Sequence, residues 1–85
     1  MSWIASQTDS AAEELRRALA SPQASYVRDH AGADPDFGCW LLACEQHCGL
    51  NYGVSIFDLP DIAWRDLYDD EATPVEAVRE ATIEL

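Results

Sequence analysis

Three cysteines and a histidine lie within ten residues of one another, a grouping that could form a metal site. They are Cys39, Cys44, His47 and Cys48. On a helix, Cys44 and Cys48 lie one turn apart on one face, whereas Cys39 points about 140° away from Cys44. Such a helix can bring together at most two sulfur atoms and one nitrogen, and a structural zinc site needs four ligands. We therefore predict buried, reduced cysteines and no metal.

Catalytic motifs are missing from the rest of the sequence. Neither His30 nor His47 lies in a recognisable nucleophile motif, and the four glycines are scattered, so they form no phosphate-binding loop. We therefore predict no catalytic residue, no cofactor and no enzymatic activity. A thiol or metal function at Cys44, His47 and Cys48 is kept as an alternative that elemental analysis of the purified protein can decide.

Carboxylates are the chemical groups that the sequence displays most strongly. The 85 residues include 16 Asp and Glu against five Arg and no Lys, which gives a net charge of −11. Residues 58–85 hold nine of these acids and only two of the arginines. This charge disfavours direct binding to nucleic acid or to an anionic membrane, because both are themselves negative. A charged partner should therefore be basic.

The acids near the end of the chain are predicted to form one anionic strip. Glu76, Glu80 and Glu84 recur at intervals of four, which on a helix places neighbouring Cβ atoms about 5–6 Å apart. Regularly spaced anions resemble a nucleic-acid backbone, so a groove rich in Lys and Arg should bind them in a salt-dependent way. The predicted phosphate mimics are Asp66, Asp69, Asp70, Glu71, Glu76, Glu80 and Glu84. The alternative is that these acids only keep a small domain soluble.

Helix signals dominate the chain and predict one all-α domain over residues 1–85, a small bundle of four or five short helices after a tail over residues 1–9. No alternation typical of a strand is present. The predicted helices cover residues 10–20, 22–31, 35–48, 60–69 and 74–84.

Capping residues set the ends of these helices. Ser10 and Glu13 are predicted to form a capping box at the start of the first helix, and Thr73 with Glu76 at the start of the last. Gly32 and Gly49 are predicted to end the second and third helices in a left-handed conformation.

The third helix carries the bulkiest apolar stripe and is predicted to be the centre of the core. The members of this stripe are Phe37, Trp40, Leu41, Cys44 and Cys48. The apolar side of the last helix is predicted to consist of Val75, Val78, Ala81 and Leu85.

Three segments of the second half carry a pattern of turns and caps: GVSIFDLPD over residues 53–61, WRDLYDD over 64–70 and TPVEA over 73–77. With the helix over residues 37–49, about half of the chain resembles a group of small, largely uncharacterised proteins encoded by bacteriophages and plasmids. The sequence departs from that pattern at Glu71 and Ala72, where a glycine is usual. The group provides no site residues that can be transferred to this chain.

This resemblance implies a mobile genetic element, whose small acidic proteins resemble anti-CRISPR proteins and restriction inhibitors that mimic DNA. We therefore expect a monomeric inhibitor that binds a basic surface of a host protein complex, in the narrowest version a CRISPR effector. The first residues lack the features of a signal peptide, so we expect it in the cytoplasm of the bacterial host. The alternative function is a non-enzymatic adaptor with an exposed aromatic surface at Trp3, Trp64 and Tyr68.

Overall fold

The computed structural model describes residues 3–59 and 62–83, which form a small all-α bundle. Its five α-helices are α1 (Asp9–Leu19), α2 (Ser25–Ala31), α3 (Pro35–Tyr52), α4 (Trp64–Asp69) and α5 (Pro74–Ala81). Short 3-10 helices cover Trp3–Ser6, Pro22–Ala24 and Ile56–Asp58. These ranges contain no strand, so the predicted fold class is confirmed.

Helix α3 is the central element, because α1, α2, α4 and α5 all contact it. Every member of the stripe predicted on this helix is buried. Cys39 and Leu42 point away from that stripe and are buried as well. The reason is that the neighbouring helices cover α3 from several sides, so burial extends beyond the single face that an amphipathic surface helix presents.

Trp40 joins the second half of the chain to α3. Its buried indole Nε1–H donates to the carbonyl oxygen of Ala72 at 2.9 Å, which satisfies a donor that would otherwise lose its hydrogen bond to water. The rings of Trp64 and Tyr68 on α4 meet the Trp40 ring edge-on, with centroids 6.4 Å and 5.5 Å away. These contacts fix α4 and the start of α5 against the core.

The predicted capping box at the start of α1 is wrong. Thr8 is the N-cap, and its Oγ1 accepts from the amide of Ala11 at 3.1 Å. Thr8 has extended backbone angles, whereas Ser10 is already helical. Because a threonine lies two residues before the predicted cap, the helix begins earlier, and Glu13 instead pairs with Arg17 at 3.0 Å.

The predicted end of α3 at Gly49 is also wrong. The helix continues to Tyr52, and Gly53 is the residue with the left-handed conformation, at a φ of 70°. A glycine inside a helix costs only about 1 kcal/mol, so Gly49 does not stop it. Leu50, which a stop at Gly49 would place in a hydrophobic contact, is 88% exposed.

The second helix is split in two. Pro22–Ala24 forms a 3-10 turn before α2 begins at Ser25, and Gly32 ends α2 at a φ of 66°. The left-handed stop is thus where the sequence predicts it, because glycine adopts this conformation without a steric cost.

Helices α4 and α5 are shorter than predicted. The predicted start of α4 at Pro60 and Asp61 lies outside the described residues, and the helix is present from Trp64. Helix α5 ends at Ala81, before its predicted end at Glu84, which lies outside the described residues. Val75, which the sequence predicts on the apolar side, is exposed, and Leu85 lies outside the described residues. The buried side consists of Pro74, Ala77, Val78 and Ala81.

The N-terminal segment packs on the core. Trp3–Ser6 forms a 3-10 helix that contacts α3, and Ile4 is among the most buried residues of the described chain, at 2% exposure. The tail predicted over residues 1–9 is therefore shorter than expected, because Asp9 is already the first residue of α1.

Replacing Trp40 with Phe tests the link between α3 and the second half. We expect Trp40→Phe to lower the free energy of unfolding by about 1–3 kcal/mol, because the carbonyl of Ala72 loses its donor in a partly buried place. Urea denaturation followed by circular dichroism measures the effect. Trp64→Phe is the matched control, with a half-buried indole and a smaller expected loss. Equal losses in the two variants would contradict this role for the hydrogen bond.

Candidate functional site

Six of the seven predicted phosphate mimics lie in the described part of the chain, and Glu84 lies outside it. All six are exposed, and we call them the acidic surface: Asp66, Asp69, Asp70, Glu71, Glu76 and Glu80. Asp66 and Asp70 are four residues apart along α4 and its C-cap, and Glu76 and Glu80 are four apart on α5. Four of the six acids therefore form two pairs on two helices and not one continuous helical row, and the other two are Asp69 and Glu71.

Arg65 offsets the charge of one member of the acidic surface. Its Nε lies 3.3 Å from Oδ1 of Asp69, and its Nη1 lies 3.0 Å from Oδ2 of Asp34 at the start of α3. The hydrogen bond with Asp34, followed by the nearby charges of Asp69 and Asp34, raises the pKa of Arg65. Asp69 is thus less available to an outside cation than its neighbours.

Glu76 has a structural role as well as a charge. Its Oε1 accepts from the amide of Thr73 at 2.9 Å, while its own amide donates to Oγ1 of Thr73 at 3.2 Å. This is the capping box that the sequence predicts. The hydrogen bond from the Thr73 amide lowers the pKa of Glu76.

Asp66, Asp70 and Glu80 present their charges with no such compensation. Within the described residues no arginine forms an ion pair with any of the three. They lie on exposed sides of α4 and α5, so their carboxylates face solvent. These three are the strongest candidates for contacts with a basic partner.

Three of the other four arginines contact groups elsewhere in the fold. The fourth, Arg79, lies on α5 next to Glu80, and its charge contributes, after the hydrogen bonds with Thr73, to the lowered pKa of Glu76. Arg16 lies 3.9 Å from Asp36, and Arg17 pairs with Glu13 within α1. Arg28 donates to the carbonyl oxygens of Leu19 and Ser21 at the end of α1, both at 2.6 Å. Much of the small positive charge of the chain is therefore committed to α1 and to the start of α3, away from α5.

A cavity of about 510 Å³ opens beside the acidic surface, and we call it the Trp3 cavity. Its walls are Trp3, Ser6, Tyr68, Asp69, Glu71, Ala72 and Thr73. Two aromatic rings and two carboxylates thus share one concave place, and none of these seven lining residues is basic. The sequence identified Trp3 and Tyr68 as candidate aromatic contacts and Asp69 and Glu71 as acids, but not that they meet.

The walls of the Trp3 cavity are held in place by the fold. The hydroxyl of Ser6 donates to the carbonyl oxygen of Trp3 at 2.7 Å, and the Tyr68 ring lies 5.1 Å from Phe37 and 5.5 Å from Trp40. Glu71 has a φ of 64°, a left-handed conformation that residues other than glycine rarely adopt. Glu71 is one of the two positions, with Ala72, at which the resemblance predicts a glycine.

The cysteines are free and fully buried, as predicted. Burial raises the pKa of Cys39, Cys44 and Cys48, so each thiol is kept in its protonated, unreactive form. No group of three or more His, Cys, Asp or Glu side chains in the described ranges is placed to hold a metal ion. His47 instead contacts Asn51, with 3.1 Å between Nδ1 and Nδ2.

The aromatic residues proposed for an adaptor surface do not form an exposed patch. Trp3, Trp64 and Tyr68 are each half-buried and pack against the core. The exposed large apolar residues of the described chain are instead Tyr26, Leu50, Tyr52, Val54, Val75 and Ile83.

Comparison with known proteins returned no match to a family model, to a curated protein or to a solved structure. The resemblance to phage and plasmid proteins therefore stays a prediction. No helix in the part of the chain that the structure describes is long and apolar enough to cross a membrane.

Thiol reactivity tests the burial of the cysteines. We expect the three thiols of the native protein to react with Ellman's reagent at pH 8 at least about 100-fold more slowly than in urea. The reason is that burial keeps the reagent away from the sulfur atoms and disfavours the reactive thiolate form. Absorbance at 412 nm measures the rate. Rapid reaction of one or more thiols in the native protein would contradict the packing of α3.

The pH dependence of stability tests the capping box. The depressed pKa of Glu76 means that its ionised form stabilises the fold above the ordinary glutamate pKa of about 4.3, and this stabilisation is lost as the pH falls through the lower folded value. We therefore expect Glu76→Ala to lower Tm clearly at pH 7 and much less at pH 3. Thermal melts measure both. Glu80→Ala is the control, and an equal loss in that variant would contradict the assignment.

Proposed function

We propose that this protein is a non-enzymatic inhibitor that binds the basic, nucleic-acid-binding surface of another protein and blocks it. The observation that carries the proposal is the exposure of Asp66, Asp70 and Glu80 with no arginine of the described residues paired to them. A net charge of −11 extends this local charge into a field that attracts cations at a distance.

Fixed positions make these carboxylates suitable mimics of phosphates. Asp66 and Asp70 belong to α4 and its C-cap, which Trp40 holds against the core through the rings of Trp64 and Tyr68. Four residues of helix rise about 6 Å. Two nucleotides of one DNA strand rise about 6.8 Å, so a groove built for phosphates meets carboxylates at a comparable axial interval.

Binding to such a groove has a recognisable physical signature. Association is steered by charge and is therefore fast, and it weakens as salt screens the opposing fields. An adaptor that used the exposed apolar residues instead would change little with salt. This difference separates the two functions without knowledge of the partner.

The narrower version of the proposal is an inhibitor of a host defence complex, such as a CRISPR effector, acting as a monomer in the bacterial cytoplasm. It is supported by the resemblance to phage and plasmid proteins and by the acidic charge. The proposal requires no cofactor and no direct contact with nucleic acid or membrane.

Displacement by DNA tests the proposed function. The chain is immobilised, bacterial lysate is passed over it, and bound proteins are eluted with a 20-base-pair duplex at constant salt. We expect the duplex to displace the bound proteins, and binding to fall about tenfold or more between 50 and 200 mM salt. Retention of the same proteins in excess duplex, or equal binding at both salt concentrations, would contradict mimicry.

A matched pair of variants locates the binding surface. Asp66→Asn, Asp70→Asn and Glu80→Gln together remove three charges and leave the capping box of Glu76 intact. The control removes three exposed charges from α1 and α2: Asp9→Asn, Glu14→Gln and Asp29→Asn. We expect the first variant to lose most of the binding and the control to keep most of it. Equal binding by the two variants would show that net charge alone matters.

A further inference from the structure

Two short hydrogen bonds hold Arg28 against the end of α1. Its Nη1 donates to the carbonyl oxygens of Leu19 and Ser21, both at 2.6 Å, which commits both hydrogens of that nitrogen. A guanidinium has five N–H donors, so three remain on Nε and Nη2. Within the described residues these three donors have no hydrogen-bond partner. Arg28 therefore presents one edge of its guanidinium, with Nε and Nη2, in a fixed position.

This edge of Arg28 is open to solvent and has no counterion among the described residues. The buried side-chain nitrogen and oxygen atoms of partly exposed residues all have hydrogen-bond partners, so the unpaired Nε and Nη2 are not buried. No carboxylate of the described chain lies within ion-pair distance of Arg28, although the protein has 16 acids for five arginines. Charged groups that are partly buried are normally paired. This half-buried cation is therefore suited to an anion from outside the chain.

Arg28 lines a cavity of about 250 Å³, which we call the Arg28 cavity. Its other walls are Leu19, Ala31, Gly32, Ala33, Asp34 and Pro35. Four of these six side chains are apolar, and Arg28 is the one basic residue of the lining. The volume equals that of about eight water molecules at ~30 Å³ each. The cavity therefore has room for a small organic molecule with one charged end.

Asp34 is the one acid of the lining, and its charge is already offset. Its Oδ2 lies 3.0 Å from Nη1 of Arg65, and its Oδ1 accepts from the amide of Phe37 at 3.2 Å. The charge of Arg28 has no such compensation. An anion in the cavity therefore meets one uncompensated cation and one compensated carboxylate, a balance that favours binding.

We propose that the Arg28 cavity binds a carboxylate that carries a short apolar chain, with its two oxygens on the Nε–Nη2 edge of Arg28 and its chain against Leu19 and Ala31. None of the acids that carry the proposed function lines this cavity, so the inference is independent of that function.

The chemistry of the edge and of the walls favours a carboxylate over a phosphate. The two parallel N–H donors of this edge match the two oxygens of a carboxylate. A carboxylate carries one negative charge, which one guanidinium balances, whereas a phosphate group carries about −1.5 to −2 at pH 7. The excess charge would be repelled by a chain whose own net charge is −11. The apolar walls also give a hydrocarbon chain a place that a free phosphate does not use.

Titration with butyrate, which has six non-hydrogen atoms, tests the inference. The Nε–H signal of Arg28 in a ¹H–¹⁵N spectrum is assigned by through-bond correlation to the side chain. We expect this signal to move with butyrate at a Kd on the order of 1 mM, since so small a ligand binds weakly. Butyramide has the same shape without the charge and should not move it. A signal that ignores butyrate, or that moves equally with both compounds, would overturn the proposal.

Arg79 provides a control within the same spectrum. It also forms no ion pair in the described part of the chain, but it is not part of the lining of the Arg28 cavity. Its Nε–H signal should stay in place during the titration. Equal movement of the two signals would show a general attraction between arginine and anions and would contradict a built site.

A variant that fills the cavity leaves Arg28 unchanged. Ala33 is an exposed residue of the lining, and Ala33→Leu places a larger side chain there. We expect this variant to bind butyrate about tenfold more weakly, because the added side chain competes with the ligand for space. Ala5→Leu makes the same change at an exposed position outside the lining and should bind as the native protein does. Equal affinities of the two variants would overturn the site.

A second variant tests the edge itself. Arg28→Lys keeps the positive charge but removes the two parallel donors, and we expect butyrate binding to fall at least about threefold. The backbone amide of Ala33 reports binding in this variant, and its spectrum shows whether the fold is kept. Unchanged affinity in a folded Arg28→Lys would contradict recognition by the edge, and Ala33→Leu still tests the cavity if this variant does not fold.

The source of the carboxylate is decided with a second ligand and an anion control. An acetylated dipeptide of alanine and valine carries the same carboxylate at a chain terminus. Tighter binding of this dipeptide than of butyrate supports the terminus of a partner chain, and tighter binding of butyrate supports a free acid. Binding of neither, or tighter binding of inorganic phosphate than of both, would overturn the assignment of a carboxylate.

Discussion

The buried indole of Trp40 is the constraint on which the arrangement of the second half depends. A buried N–H needs an acceptor, and the carbonyl of Ala72 provides it at 2.9 Å. Ala72 lies two residues before α5, so this hydrogen bond fixes where α5 begins. The Trp40 ring also packs against Trp64 and Tyr68 of α4. The positions of the acids on α4 and α5 therefore follow from one side chain of α3.

Local signals predict much of the fold, and they fail where two signals compete within about a turn. Gly32 and the Thr73 capping box stand alone, and both lie where the sequence predicts them. Thr8 competes with Ser10, and Gly53 competes with Gly49; in both cases the longer helix forms. A longer helix is favoured because it adds backbone hydrogen bonds. The helix propensities of the residues do not show whether the fold has room for the added turn.

The acids of the candidate site could be found from the sequence, but the ion pairs that offset their charge could not. Arg65 pairs with Asp69 at helical spacing and also with Asp34, which is 31 residues away in the chain. The Trp3 cavity likewise joins the first described residue to α4. Spacing along a helix reports only on neighbours a turn apart, so contacts that depend on the path between helices require the folded structure.

The left-handed conformation of Glu71 belongs to the end of α4. Asp70 is the C-cap, the amide of Glu71 donates to the carbonyl oxygen of Tyr68 at 3.0 Å, and the amide of Ala72 donates to that of Leu67 at 3.1 Å. This pair of hydrogen bonds is a Schellman motif, which places a left-handed residue directly after the C-cap. A left-handed residue other than glycine costs about 1–2 kcal/mol, and the φ of Glu71 is 64°. Ala72 takes part in this stop through its amide and accepts the hydrogen bond of Trp40 through its carbonyl oxygen, so the contact with α3 and the end of α4 together determine the turn that leads to α5.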